Sequence, residues 1–376
     1  MKEGWEIKKV KDICDKASSN IAQNKITQLD GDYPVYGASG FVQNVDFYHR
    51  DTEYIGIVKD GSGVGRVNTY PAYSSLLGTL QYILPKEGYS MRFVSYALKS
   101  LNLVKFASGA AIPHIYFKDY GEVALAVPTS LAEQERIGDA LDTAFAKIDA
   151  LKENAEKNLQ DVKALQRQLH NAAFDKADNT PLESMVEIIN GYAFKSEDFN
   201  KSNTIKVIKI TNVGVGSFVE TDDTNLTPSH LHNKKSFVAH SGDIVIALTR
   251  TIISDGLKIA VVPNSYDNAL LNQRVALMRI TDDIVRQYLY YYFQTAAVKK
   301  YVLDRVNELM QPNLSIKDLR IMPIPNCGIE EMKKIVDHLN EHNQRCNKLK
   351  ENYERTITLC NDLKQALLRK AFNGEL

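Results

Sequence analysis

The chain has 376 residues, of which 44% are hydrophobic, 9% aromatic and 24% charged. That composition excludes a disordered, collagen-like or disulfide-built protein and leaves room for two or three domains at roughly 100 to 200 residues each. Forty-six Lys and Arg balance 46 Asp and Glu, so tight nucleic-acid binding by net charge alone is excluded and would need local basic surfaces or a basic partner.

Residues 1–130 open in alternating charge, without the apolar stretch of a signal peptide. They continue in short β-branched and aromatic runs, such as Tyr54-Ile55-Gly56-Ile57-Val58, punctuated by Gly, Asn, Asp and Pro. This is the texture of strands and turns, with a helix predicted at Met91 to Leu103 where apolar residues fall three and four apart. The glycine-rich run Gly61-Ser62-Gly63-Val64-Gly65 is followed by Val67-Asn68-Thr69-Tyr70-Pro71, which is strand-like. A phosphate-binding loop needs a helix directly after it, so the run reads as a β-hairpin or bulge.

Residues 131–178 change character: few Gly or Pro, many Glu, Lys, Gln and Leu, and a heptad pattern. One seam holds Leu141, Ile148, Ala155, Val162 and Leu169; its predicted companion holds Ala144, Leu151, Asn158, Leu165 and Ala172. Residues 179–328 return to strand-like runs, among them Val207 to Ile210 and Asp243 to Ala247, with a second late helix predicted at Ile284 to Leu303. Residues 329–376 repeat the helical texture, with a seam of Leu339, Cys346, Tyr353, Cys360 and Leu367 and a companion of His342, Leu349, Thr356, Leu363 and Lys370.

The chain is thus written twice. Leu151-Lys152-Glu153-Asn154 matches Leu349-Lys350-Glu351-Asn352 at a distance of 198 residues, and Leu165, Leu169 and Ala173-Phe174 match Leu363, Leu367 and Ala371-Phe372. The predicted architecture is α+β: two mixed, mostly β domains separated by two long helices paired as an antiparallel coiled coil, with an internal pseudo-two-fold repeat. Neither long helix could bury its stripe against a small β domain alone, which is why pairing is expected.

Catalytic constellations are missing. There is no G-x-x-x-x-G-K-[ST] loop, no H-E-x-x-H, no G-x-S-x-G and no metal-spaced His/Cys cluster. His230 and His232 lack a third ligand, and Cys14, Cys327, Cys346 and Cys360 form no C-x-x-C pair. No apolar run reaches about 18 residues. The expectation is a cytoplasmic binding scaffold without a membrane span, not an enzyme.

These pieces resemble the specificity subunit of type I restriction-modification systems, over the full chain. The resemblance rests on the duplicated order of domain and helix, on Val127-Pro128 and Ile324-Pro325 before each helix, and on Leu131-Ala132-Glu133-Gln134-Glu135-Arg136-Ile137, similar to the family's P-x(n)-E-Q-x-x-I signature. The second copy departs from it at Met332 and Lys333. Tyr33 to Gly40, Asn190 to Ser196 and the ending Leu363 to Leu376 are also typical of the family. The resemblance implies that each β domain is a target-recognition domain reading one half of a split double-stranded DNA site. The helices would set the spacing and dock two adenine methyltransferase (M) subunits, joined by restriction/translocase (R) subunits. It further implies no cofactor in this chain, with S-adenosylmethionine, ATP and Mg on the partners.

Direct readout favours Arg or Lys on guanine and Asn or Gln on adenine, delivered from loops. The DNA-binding candidates are Gln28, Tyr36, Ser39, Lys59, Ser62, Arg66, Asn68 and His114 in the first domain, and Tyr192, Lys195, Asn212, Thr249, Arg250, Gln273, Arg274, Gln311 and Asn313 in the second. Two other readings stand beside this one. A stand-alone S-adenosylmethionine-dependent DNA methyltransferase would use the Gly61 to Gly65 loop, but an N-P-P-[FY] run is missing. A coiled-coil scaffold without DNA affinity is the other.

Overall fold

The computed structural model describes residues 3–109, 112–174, 178–221, 225–253, 256–305 and 313–376. The chain divides into two compact units, Met1–Lys157 with Tyr353–Leu376, and Asn158–Asn352. Each unit therefore combines one β domain with one half of each long helix.

In the first unit a four-stranded antiparallel sheet runs in the order Cys14–Ser18, Leu80–Pro85, Tyr54–Val58, Val67–Tyr70. The strand Tyr54–Val58 is buried at every position because both faces of the sheet are covered. Ile55 and Ile57 join Ile83 under the helix Met91–Ser100, whereas Tyr54 and Val58 join Tyr82 and Leu80 in a second cluster. The period-2 alternation of a strand sends consecutive residues into these two cores. A three-stranded sheet of Gly40–Val45, Tyr33–Gly37 and Ser75–Leu76 covers the second cluster.

The second unit repeats this plan. Its four-stranded sheet has the order Glu187–Asn190, Val275–Arg279, Ile244–Ala247, Ile259–Val261. Ile244 and Ile246 face one core, Val245 and Ala247 the other. A three-stranded sheet is built from Val207–Ile208, Ala269–Leu271 and Val238–Ala239. The helix predicted at Ile284 to Leu303 is two helices, Asp283–Tyr292 and Ala296–Leu303. The chain turns between them at Phe293 to Thr295, where the Thr295 hydroxyl donates to the Tyr292 carbonyl at 2.7 Å.

The long helices are Leu131–Ala173 and Ile329–Phe372, 43 and 44 residues, each roughly 65 Å at 1.5 Å per residue. Their pairing is antiparallel within each unit. In the first, Lys152 reaches Asn361 at 3.1 Å and Lys364 reaches Asp149. In the second, Gln166 and His170 meet Asn343 at 2.6 and 3.0 Å, and Lys350 meets Gln166 at 3.0 Å.

The seam through Leu141, Ile148, Ala155 and Val162, and through Leu339, Cys346 and Cys360, is buried as predicted. The predicted companion rows are corrected. Leu151, Leu165, Leu349 and Leu363 are exposed, and the inward companions are the next residues along: Lys152, Leu159 and Gln166 in one helix, Lys350, Ile357 and Lys364 in the other. A one-residue step rotates a side chain by about 100° around a helix. Most of the inward companions are long polar side chains because they bond across the pair.

The family-type signature residue Gln134 has a structural role. It is fully buried, accepts a hydrogen bond from the Ser90 amide at 2.8 Å and donates to the carbonyls of Pro128 at 3.0 Å and Gly88 at 3.3 Å. It thereby clamps the β domain to the first long helix. In the second unit the corresponding Met332 is also buried, in apolar surroundings.

Candidate nucleic-acid interface

In the first unit, Lys59, Ser62, Arg66, Asn68 and His114 belong to one loop system. The hairpin between Tyr54–Val58 and Val67–Tyr70 closes through Gly65 amide to Val58 carbonyl at 2.8 Å and Val58 amide to Arg66 carbonyl at 3.0 Å. Gly61 and Gly65 have positive φ, and a Cβ on Gly65 would lie 2.8 Å from the Val104 amide nitrogen, so glycine is required there. The segment carrying His114 pairs alongside: the Gly61 amide donates to Pro113 at 2.9 Å and Ile115 donates to Lys59 at 3.0 Å. His114 faces the Asp60 carboxylate through Nδ1 and packs its ring on Tyr116, 4.1 Å between centroids. Ser62, Arg66 and Asn68 are exposed, Lys59 and His114 half-buried.

Ser39 is exposed at the turn between Tyr33–Gly37 and Gly40–Val45. It borders a concavity of about 750 Å³ lined also by Phe41, Gln23 and Thr79. The Thr79 carbonyl accepts from Lys59 at 3.0 Å, so this concavity adjoins the hairpin loop. Tyr36 is half-buried, with its ring against Tyr70 at 4.9 Å, and serves packing. Gln28 is exposed on the turn after the helix Gln23–Ile26. Sequence reasoning missed Phe41, 61% exposed at the hairpin, and Asp60, which orients His114.

In the second unit four loops come together. The Tyr192 amide donates to Leu271 at 2.8 Å and Gln273 donates to Tyr192 at 3.0 Å; Leu248 donates to Arg274 and Leu314 to Leu248, both at 2.9 Å. A Cβ on Gly191 would sit 2.0 Å from the Asn272 carbonyl, so only glycine permits this approach. Thr249 bridges to Asn313. Arg250, Gln273 and Arg274 are exposed, and Arg250 is held at φ 50°, a left-handed backbone that strains a non-glycine residue. Tyr192 is half-buried against Phe194 and Phe237 with the Lys234 ammonium 3.9 Å from its ring centre. Lys195 is exposed and 3.4 Å from Glu197. Lys258, not foreseen, donates to Ile210 at 2.6 Å; burial and the nearby Arg250 push its ammonium down.

Asn212 is corrected. It is fully buried, accepts from the Lys209 amide at 2.8 Å, and donates to Val219 at 2.9 Å and Thr221 at 3.1 Å. An Asn with its side-chain groups committed inside the domain cannot read a base edge. Gln311 lies outside the described residues.

The pairing of Leu248 with Arg274 brings the loops of Arg250 and Arg274 together, with Lys258 beside Arg250, so a chain of zero net charge places cations where exposed amides and hydroxyls converge. This is the arrangement for holding a polyanion and reading groups along it. The Gly61 to Gly65 run is a hairpin with a strand after it, which removes the cofactor loop a stand-alone methyltransferase reading relied on. Among the described residues no group of three or more His, Cys, Asp or Glu is placed to hold a metal ion, and no helix is long and apolar enough to cross a membrane.

The family model for the type I restriction modification DNA specificity domain matches residues 2–160 and 175–359, one match in each half. The chain belongs to this family. It is 25% identical over 368 residues to the type I restriction enzyme MjaVIII specificity subunit of Methanocaldococcus jannaschii, covering 90% of this chain and 85% of that one. It is 30% identical over 174 residues to the EcoAI specificity subunit of Escherichia coli, covering 45% and 28%. A solved structure from work on complex assembly and conformational transition of the type I R-M system has the same fold, with a TM-score of 0.77, 16% identity and coverage of 100% and 99%. The HsdS subunit of Thermoanaerobacter tengcongensis follows at 0.58, 17% identity, 100% and 98%. The protein is a non-catalytic DNA specificity subunit.

Proposed function

We propose that each unit reads one half of a bipartite double-stranded DNA site through the loop systems just described, and that the paired helices set the distance between the halves. The observation that carries this is the duplication: two sheets of matching strand order each present their own convergent loop surface on a shared pair of helices. In the first domain (1–130) the reading groups are Lys59, Ser62, Arg66, Asn68 and His114, with Ser39 beside them. In the second (179–328) they are Arg250, Gln273, Arg274, Thr249 and Asn313, with Tyr192 and Lys195 at the margin. The spacer segments 131–178 and 329–376 dock two adenine methyltransferase subunits, and restriction subunits join them. S-adenosylmethionine, ATP and Mg belong to those partners, and the complex works in the cytoplasm.

Co-expression with an adenine methyltransferase subunit and mapping of methylated adenines tests this. Exchanging residues 14–128 for the corresponding domain of a relative is expected to change one half of the methylated motif and leave the other intact. Alteration of both halves would refute the modular assignment.

A further inference from the structure

Each unit contains a groove bounded by the same three pieces of chain. In the first unit these are Gly65 to Val67 entering the edge strand, the end of the helix Met91–Ser100 with the turn after it, and the last turns of the second long helix, with Phe145 of the first long helix as an additional wall; the groove holds about 660 Å³. In the second unit they are Gly256 and Leu257 ahead of the edge strand Ile259–Val261, Phe293 to Lys299 after the helix Asp283–Tyr292, and the last turns of the first long helix; the groove holds about 320 Å³. The helix residues correspond through the repeat, Arg167 with Gln365 and Asn171 with Arg369, each pair 198 residues apart.

Among the described residues both grooves are lined by cations and by no Asp or Glu: Arg66, Lys99, Lys364 and Arg369 in the first, Arg167 and Lys299 in the second. Lys364 answers Asp149 on the helix beside it. Arg369 and Arg167 are exposed on helix surfaces, and among the described residues neither is in an ion pair. Such a lining selects an anion. Arg66 belongs at once to the groove and to the hairpin loop that carries Ser62, which makes the first groove continuous with the loop assigned to a DNA half-site.

We propose that the two grooves hold backbone phosphates of the DNA beside each half-site, forming a repeated, sequence-independent grip. This rests on the half-site reading above. Arg369 and Arg167 stand on the long helices and not on reading loops, whereas Arg66 joins the first groove to its reading loop. The two helix arginines therefore fix position on the duplex without selecting bases.

The test uses the complex assembled with its methyltransferase subunits, carrying Lys99→Gln with Arg369→Gln in one variant and Arg167→Gln in another. Affinity is measured at several salt concentrations for a duplex bearing the methylated motif and for one with the motif scrambled. Each lost phosphate contact is expected to lower the slope of log affinity against log salt by about 0.9, so about 1.8 for the double variant. Affinity for both duplexes should fall by the same factor while the methylated motif stays unchanged. An unchanged slope overturns the proposal, including the case in which the variants instead shed the methyltransferase subunit and the grooves hold an acidic partner segment. A changed base in the motif also overturns it, because the groove would then read sequence. Failure of the half-site reading itself shows separately, as a domain exchange that leaves the motif intact.

Discussion

Gln134→Met isolates what the clamp between the first β domain and its long helix contributes. The substitution keeps an unbranched side chain of similar length, and Met332 occupies the corresponding buried place in the second unit. It removes three hydrogen bonds, two of them fully buried, and strands the Ser90 amide and the Pro128 carbonyl. A buried polar group without a partner costs about 1 to 3 kcal/mol, so two such groups cost roughly 2 to 6 kcal/mol. In a unit of this size each kcal/mol moves the midpoint by about 2 to 4 °C, which gives a fall of roughly 4 to 24 °C. The chain contains one tryptophan, and Trp5 lies in the core of the first unit, so its fluorescence reports the unfolding of that unit. Gln134→Ala is expected to fall further, because it adds a cavity to the same lost bonds. If Gln134→Met melts with the unaltered protein while Gln134→Ala does not, the site is held by volume and the hydrogen-bond argument is wrong.

Asn212→Ala is expected to destabilise the second unit by about 1 to 3 kcal/mol for the amide it strands, seen as a lower melting midpoint by circular dichroism, with the methylated motif unchanged. Ile148→Ala should cost about 2 to 5 kcal/mol and Leu151→Ala less than about 0.5, because the first is buried in the seam and the second exposed; equal effects in chemical denaturation would contradict the observed register. Removing Lys152 to Asn158 together with Arg355 to Asn361, stretches that face each other across the seam, should shorten each helix by about 10 Å and the gap in the motif by roughly three base pairs. A folded, active variant with the original gap would show that the helices do not set the spacing. Burial pushes His170 below its ordinary value, so its contribution is present above about pH 6.5 and is lost as pH falls through the lower folded value, where the ring must charge. Thermal melts at pH 7.5 and 5.5 should differ more for the unaltered protein than for His170→Gln, and parallel curves would remove His170 from the account.

The duplication, the two long helices, the strand-rich character of the domains and the family were all legible in the sequence. Each is carried by local periodicity or by residues repeated at a constant spacing, which need no knowledge of what lies across the fold. Tertiary structure decided what depends on neighbours distant in the chain. The heptad count places Leu151 on the companion row, but it is Lys152 that turns inward, bonded to Asn361 on the other helix, while Leu151 remains outside. Asn212 has the chemistry of a base reader and is instead buried under Val219 and Tyr266, a placement that no local pattern announces. The break after Tyr292 follows from a turn held by the Thr295 hydroxyl, within a stretch whose apolar spacing continues unbroken. Arg250, Gln273 and Asn313 are separate polar residues in the sequence, and they become one surface only because the backbone pairing of Leu248 with Arg274 and Leu314, and of Thr249 with Asn313, draws their loops together. A hydrogen bond or close contact between remote segments is a property of the folded chain, whereas a heptad or a repeat is a property of the chain as written.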